Sequence, residues 1–229
     1  MTYRWILFDA DGTLFDYGKA EAIALQRAFA RIGQPYKQGY IQAYRQINAQ
    51  IWRELELGRI SPARLRTRRF EMLFQALQIA VDPQRFSEAY LQELAKRSDL
   101  TDGARETVGS LYGHVRMLIV TNGLGDVQRP RFTASAICPF FEGIVISEEV
   151  GAAKPEAAFF DVAFARMGHP PRTDVLIVGD SLTSDMGGGY AYGIVTCWFN
   201  PRHLPRDGAF PIQYEISQLQ ELLRIAGLG

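Results

Sequence analysis

The chain has 229 residues, 47% hydrophobic and 22% charged, and its 25 Lys and Arg balance its 25 Asp and Glu. That balance removes any global electrostatic basis for binding polymeric nucleic acid or an anionic membrane. No apolar run approaches the roughly 18 residues of a membrane span, and Cys138 and Cys197 stand far apart without metal-type spacing, so a soluble protein of a reducing cytoplasm is expected.

The first element is the apolar run Trp5-Ile6-Leu7-Phe8, which leads into Asp9-Ala10-Asp11-Gly12-Thr13. One basic residue precedes the run, which is not the pattern of a secretory signal. A short apolar segment stopped by Gly reads as a buried strand ending in a loop. Residues i and i+2 of a strand share a face, so Asp9 and Asp11 are expected to converge unless the chain has already turned. Adjacent carboxylates resist ionisation together. A divalent cation removes that penalty, so the pair is a natural start for an oxygen-ligand magnesium site.

From about Lys19 to Ser98 the periodicity is helical. Leu25, Ala28, Phe29 and Ile32 form one stripe, Tyr44, Ile47, Ile51 and Leu55 a second, and Phe70, Leu73, Phe74 and Leu77 a third. Phe86, Tyr90 and Leu94 supply a further helix. Gly33, Gly58 and Asp82-Pro83 punctuate these segments, and Ser61-Pro62 has the form of an N-cap followed by proline at the first helical position. Arg64, Arg66, Arg68 and Arg69 make a basic stretch that reads as a solvated helix face.

Beyond Thr101-Asp102-Gly103, short apolar strands alternate with helices. The strands are expected at Val115–Val120, Ile144–Ile146, Val175–Val178 and Ile194–Trp198, with an amphipathic helix marked by Phe160, Ala163, Phe164 and Met167. Continuously apolar strands separated by helices imply a parallel sheet covered on both faces. The helical block is then an insertion after the first strand of an α/β domain. His114, His169 and His203 are scattered and read as surface polar residues.

Ligands of open parallel sheets lie beyond the carboxyl ends of the strands, and each strand end here carries a different group. Thr121 offers a hydroxyl, Asn122 and Gly123 offer backbone amides entering a helix N-terminus, and Lys154 offers a compact positive charge. Asp180 supplies a third carboxylate for the metal, and Asp185 either holds a metal-bound water or orients Lys154. This ordered set suits a phosphate bound beside a cation.

The motifs Asp9-Ala10-Asp11-Gly12-Thr13, Thr121-Asn122, Lys154-Pro155 and Gly179-Asp180 followed by Asp185 resemble, in order, the four motifs of the haloacid dehalogenase (HAD) superfamily. The resemblance implies a Rossmann-like α/β core at 1–16 and 100–229 and an inserted α-helical cap domain at 17–99. Segments such as Ile51-Trp52, Val145–Gly151 and Thr196-Cys197-Trp198 more narrowly resemble the bacterial house-cleaning pyrimidine 5′-nucleotidases. The implied chemistry is Mg2+-dependent hydrolysis of a small phosphate ester. Asp9 would be the nucleophile, ionised like an ordinary aspartate, and Asp11 the acid and base. Thr121, Asn122, Gly123 and Lys154 would hold the phosphoryl group. Asp9, the backbone carbonyl of Asp11, Asp180 and Asp185 would serve the metal. Asp11 also separates a phosphatase from the dehalogenase branch, where a leaving halide needs no proton.

Two departures from the family pattern are visible. Asp102 stands where a proline usually precedes Gly-Ala, and Pro130 falls within the helix expected after Thr121-Asn122-Gly123. That helix should start late, near Asp126 or Val127, or bend. Selectivity must come from residues covering the phosphate. The candidates are Phe15, Asp16 and Tyr17, then Asn48, Trp52 and Arg69. Alternatives are another small ester such as phosphoglycolate or a sugar phosphate, a phosphomutase, a phosphonate hydrolase or a non-catalytic binding protein. A monomer or homodimer is expected.

Overall fold

The computed structural model describes residues 3–206 and 210–228. Its contacts divide the chain into two compact units. Residues up to Tyr17 with those from Ser98 onward form one, and Gly18–Arg97 form the other.

The first unit is a six-stranded parallel sheet. Its strands are β1 (Trp5–Phe8), β2 (Arg116–Thr121), β3 (Ile144–Ile146), β4 (Val175–Gly179), β5 (Val195–Phe199) and β6 (Tyr214–Ile216), in the order β3-β2-β1-β4-β5-β6. All its pairings are parallel, with Phe8 beside Ile119 of β2 on one side and Val178 of β4 on the other. Strand order reverses at β1, so a crevice opens where β1 and β4 end, the usual binding position of such sheets. Alternate residues of β1 feed opposite cores. Ile6 and Phe8 pack with Val108, Leu111, Phe132 and Leu222, whereas Trp5 and Leu7 pack with Phe159, Phe160, Phe164 and Met186. That two-sided burial explains why β1 reads as a continuous apolar run.

The expected strands are all present, displaced by at most a residue or so at their ends. β6 was not expected. Its three residues, Tyr214-Glu215-Ile216, are too few and too polar in the middle to stand out, and it lies at the sheet edge. The strand pair at the unit's other boundary is local: Phe15 bridges Leu100, and Asp16 N–H donates to Asp99 C=O at 3.0 Å.

The second unit contains helices α1 (Tyr17–Arg31, whose first residue belongs to the sheet unit), α2 (Tyr40–Glu56), α3 (Pro62–Leu77) and α4 (Pro83–Ala95). Ser61 Oγ accepts from Arg64 N–H at 3.2 Å, and Asp82 Oδ1 from Gln84 N–H at 2.9 Å. Both are N-caps followed by proline at the first helical position, as the sequence implied. The core is aromatic: the Phe86 ring lies 4.8 Å from Phe29, 4.9 Å from Phe70 and 5.0 Å from Phe74, with Tyr44 and Tyr90 against Phe70.

Back in the sheet unit, α5 (Ala104–Leu111), α6 (Gly125–Ala134), α7 (Ser147–Val150), α8 (Ala157–Arg166), α9 (Gly188–Tyr192) and α10 (Leu222–Ile225) complete the layers. Helix α6 begins one residue before the late start expected from Pro130. It starts at Gly125 and runs through the proline to Ala134. Its N-terminal end is held by Glu148, whose Oε2 accepts from Gly125 N–H at 2.8 Å. No described helix is long and apolar enough to cross a membrane.

Candidate active site

The strand ends bring the sheet unit's candidate residues together. Asp9 follows β1 and is 7% exposed, Thr121 ends β2 at 2%, Lys154 follows β3 and α7 at 2%, and Asp185 follows β4 at 1%. Lys154 Nζ donates to Asp9 Oδ1 at 2.7 Å, Asp185 Oδ1 at 2.6 Å and the Val120 carbonyl at 2.8 Å. An ammonium has three N–H donors, and all are used here. The expectation that Lys154 offers its charge directly to a phosphate is therefore refined: in this structure it pins Asp9 and Asp185.

Asp185 reaches this position from a wide π-helical turn, Leu182–Gly187, whose N-cap Ser181 accepts from Ser184 N–H. The second oxygen of Asp185 accepts from Ser181 N–H at 3.1 Å. Asn122 acts on Lys154 through the backbone. Its Nδ2 donates to Lys154 C=O and its Oδ1 accepts from Lys154 N–H, both at 2.8 Å. The side chain of Asn122 thus sets where the lysine starts. The Gly123 amide donates to Thr121 Oγ1 at 3.1 Å, so it closes the loop onto the threonine rather than standing free at a helix end.

Asp9, Asp180 and Asp185 offer oxygens that all lie within 4.8 Å of one another. Burial pushes the Asp9 carboxyl well above its ordinary range, Lys154 opposes that, and Asp185 and Asp180 push it further up. Asp180 reaches solvent at the mouth of the group, yet the surrounding protein still desolvates its carboxylate. With Asp185 beside it, the group is pushed up to about 7. Lys154 is shifted the other way. Burial favours its neutral form, but Asp185 and Asp9 outweigh burial and hold the ammonium charged. The reading of Asp9 as an ordinary ionised aspartate is thus corrected for the metal-free protein, where burial, and then Asp185 and Asp180, oppose its ionisation against the pull of Lys154. A hard divalent cation would supply the missing charge, and the all-oxygen donor set fits Mg2+. The close packing is visible at Gly12, where φ is +90° and a Cβ would fall 2.4 Å from Asp180 Oδ2.

The Asp11 carboxylate lies outside this acidic group. Its Oδ1 accepts from Arg131 Nη1 at 2.6 Å and its Oδ2 from Gln128 Nε2. Neither partner was singled out in the sequence. A glutamine and an arginine three residues apart on a helix look like a solvated face, and only the fold shows them buried.

Of the covering candidates, Phe15, Asp16 and Tyr17 belong to the sheet unit, and Asn48, Trp52 and Arg69 belong to the helical unit. Arg69 is 1% exposed and departs from the solvated face expected of its stretch, whereas Arg64 is exposed. Its Nη1 donates to Asn48 Oδ1 at 3.1 Å and to Tyr44 Oη at 3.2 Å. Its guanidinium lies about 5 Å from the Phe70 and Tyr90 rings. Asn48 is buried with it, and Trp52 is half-buried.

Residues 3–193 match the family profile described as haloacid dehalogenase-like hydrolase. The HAD-hydrolase YfnB of Bacillus subtilis is 34% identical over 99% of this chain and 96% of its own. Pyrimidine 5′-nucleotidase YjjG of Escherichia coli is 34% identical, covering 97% of each chain. Pyrimidine 5′-nucleotidase PynA of Streptococcus pneumoniae is 33% identical over 97% of this chain and 94% of its own. The crystal structure of YfnB bound to magnesium superposes with a TM-score of 0.93, covering 99% of each chain. The L-2-haloacid dehalogenase of Xanthobacter autotrophicus, at 19% identity and a TM-score of 0.76 over 99% of each chain, shares the fold. With a profile spanning most of its length and relatives a third identical from end to end, this chain belongs to the haloacid dehalogenase-like hydrolases and is an enzyme.

Proposed function

We propose that this hydrolase is a Mg2+-dependent phosphomonoesterase that works through an aspartyl-phosphate on Asp9, with pyrimidine nucleoside monophosphates as its substrates. The observation that carries the chemistry is a buried carboxylate, Asp9, pinned at 2.7 Å by Lys154 beside Asp180 and Asp185. The substrate class rests on YjjG and PynA, both named as pyrimidine 5′-nucleotidases.

Bound magnesium, held by Asp9, Asp180 and Asp185 with the backbone carbonyl of Asp11, would supply positive charge that keeps Asp9 ionised and offsets charge on the phosphoryl oxygens. Lys154 fixes the direction in which the Asp9 carboxylate faces, which is positioning of the nucleophile. Thr121 Oγ1 already accepts from Gly123 N–H, so its own O–H remains available to donate to a phosphoryl oxygen. In the first half-reaction an Asp9 oxygen bonds to phosphorus as the ester P–O bond breaks, and the leaving oxygen takes a proton from Asp11. In the second, water bonds to phosphorus and gives a proton to Asp11, and the P–O bond to Asp9 breaks to release phosphate. Asn48, Trp52 and Arg69 are the helical unit's candidates for substrate selectivity.

Assaying purified enzyme with magnesium against a panel of phosphate esters tests this reading. Highest kcat/KM on pyrimidine nucleoside monophosphates is expected. Preference for sugar phosphates or phosphoglycolate would overturn the nucleotidase assignment, and no phosphate release from any ester would overturn the chemistry.

A further inference from the structure

Residues Gln128 and Arg131 lie three apart on α6 and therefore project from the same face. Both meet one carboxylate, with Arg131 Nη1 on Asp11 Oδ1 and Gln128 Nε2 on Asp11 Oδ2. Gln128 is 2% exposed and Arg131 is fully buried, with its guanidinium 5.0 Å from the Phe15 ring. The Asp11 side chain nevertheless keeps 25% of its surface accessible. A purely structural ion pair has no reason to seal its donors and leave its acceptor open. Both donors are buried, and each carboxylate oxygen, holding one of them, keeps a further lone pair.

The arrangement is expensive in ways that packing does not explain. Burying a guanidinium is costly, and an apolar side chain of similar volume generally serves stability as well or better. Gln128 leaves its Oε1 buried with no hydrogen-bond partner among the described residues. The reverse orientation of the amide would set an oxygen against a carboxylate, so the donor must face Asp11. Room for Gln128 is made by Gly123, where any Cβ would fall 2.4 Å from the Gln128 amide nitrogen. The loop carrying Thr121 and Asn122 is thus shaped around this glutamine.

We infer that Gln128 and Arg131 are the positioning residues of the proton-transfer step: together they fix the Asp11 carboxylate so that a proton leaves and returns along one direction. They touch neither the phosphoryl group nor Asp9 and act only through Asp11. The inference rests on the phosphomonoesterase reading above. It adds that α6, outside the four motifs, sets how well the acid works.

The test compares Gln128→Leu, Arg131→Lys and Arg131→Met with wild type and Asp11→Asn. Two magnesium-supported substrates are used, a nucleoside monophosphate with an alkoxide leaving group and 4-nitrophenyl phosphate with a good one. The value of kcat/KM reports on steps through P–O cleavage, where only the alkoxide needs a proton. Positioned acids typically contribute about 10²–10⁴-fold, so losing the clamp should cost ~10-fold more kcat/KM on the alkyl ester than on the nitrophenyl ester, chiefly through kcat. Arg131→Lys should recover part of what Arg131→Met loses. Gln128→Leu strands no charge and carries the test if Arg131→Met does not fold. Equal losses on both esters, tracking a fall in melting temperature, would show a structural role and overturn the inference. A leaving-group-selective loss in Asp11→Asn with wild-type behaviour in the α6 variants would overturn this inference alone. A wild-type enzyme that hydrolyses neither ester would overturn the phosphomonoesterase reading with it.

Discussion

Replacing Lys154 with methionine removes the ammonium that faces Asp9 and Asp185 while keeping most of the side-chain volume. The lysine is 2% exposed, and its two carboxylate contacts are 2.7 and 2.6 Å long. Removing one partner of a buried ion pair costs about 3–5 kcal/mol, because the remaining charge stays buried without compensation. At roughly 2–4 °C per kcal/mol for a chain of this size, melting should fall by ~6–20 °C in a metal-free buffer. The loss should be larger at about pH 8 than at about pH 6, since the stranded carboxyls can take up protons at the lower pH. Saturating magnesium should return part of it, because a ligand that binds only the folded state stabilises that state. Phosphatase activity should fall below detection under both conditions. Differential scanning fluorimetry with EDTA or magnesium, alongside phosphate release, measures all of this. A melting shift under about 2 °C in EDTA would mean that Lys154 does not hold the cluster together, and the reasoning from its three contacts would fail.

The metal-free enzyme should also show an unusual pH dependence. Asp9 and Asp180 have folded-state pKa values raised above ordinary, Asp180 to about 7. Between about pH 4 and pH 7 the native state therefore holds protons that the unfolded state has released, and stability falls as pH rises through that window. Melting curves in EDTA should show this slope, magnesium should flatten it, and Asp180→Asn should reduce it. A metal-free protein that gains stability across the same range would contradict the assignment. In the helical unit the sign is opposite. Glu93 on α4 is buried, and hydrogen bonding by Lys96, with help from Arg31 and Arg27, holds its pKa below ordinary. Glu93→Gln should cost about 1 kcal/mol at neutral pH, since its three basic partners are largely exposed. That deficit should shrink as pH falls through the glutamate range, and a deficit unchanged in acid would rule out the ion pairs as its source.

Much of the fold could be read along the chain because the parallel strands are buried on both faces and appear as uninterrupted apolar runs. β6 escaped because an edge strand of three residues with a glutamate at its centre carries no such run. The acidic, hydroxyl and ammonium groups of the site were legible because each lies at or within a short loop or turn after the carboxyl end of a strand. What one dimension could not show was how they charge one another. Asp9 read alone is an ordinary aspartate, and its cost of ionisation appears only with its burial in the fold and the approach of Asp185 and Asp180. Polar residues on helices were misread or passed over for the same reason. Arg69 sits in a basic run yet ends among Tyr44, Phe70 and Tyr90, and Gln128 and Arg131 flank a proline yet turn inward to Asp11. Periodicity locates an apolar stripe, but it does not say which charged neighbour a distant carboxylate will bury.

The most direct measurement is acid quenching of the enzyme during turnover of a nucleoside monophosphate with magnesium, followed by peptide mass mapping. The peptide carrying Asp9 should bear one added phosphoryl group that is lost at alkaline pH, and Asp9→Asn should show neither the adduct nor activity. A phosphoryl group on another residue, or full activity in Asp9→Asn, would contradict Asp9 as the group that takes the phosphate.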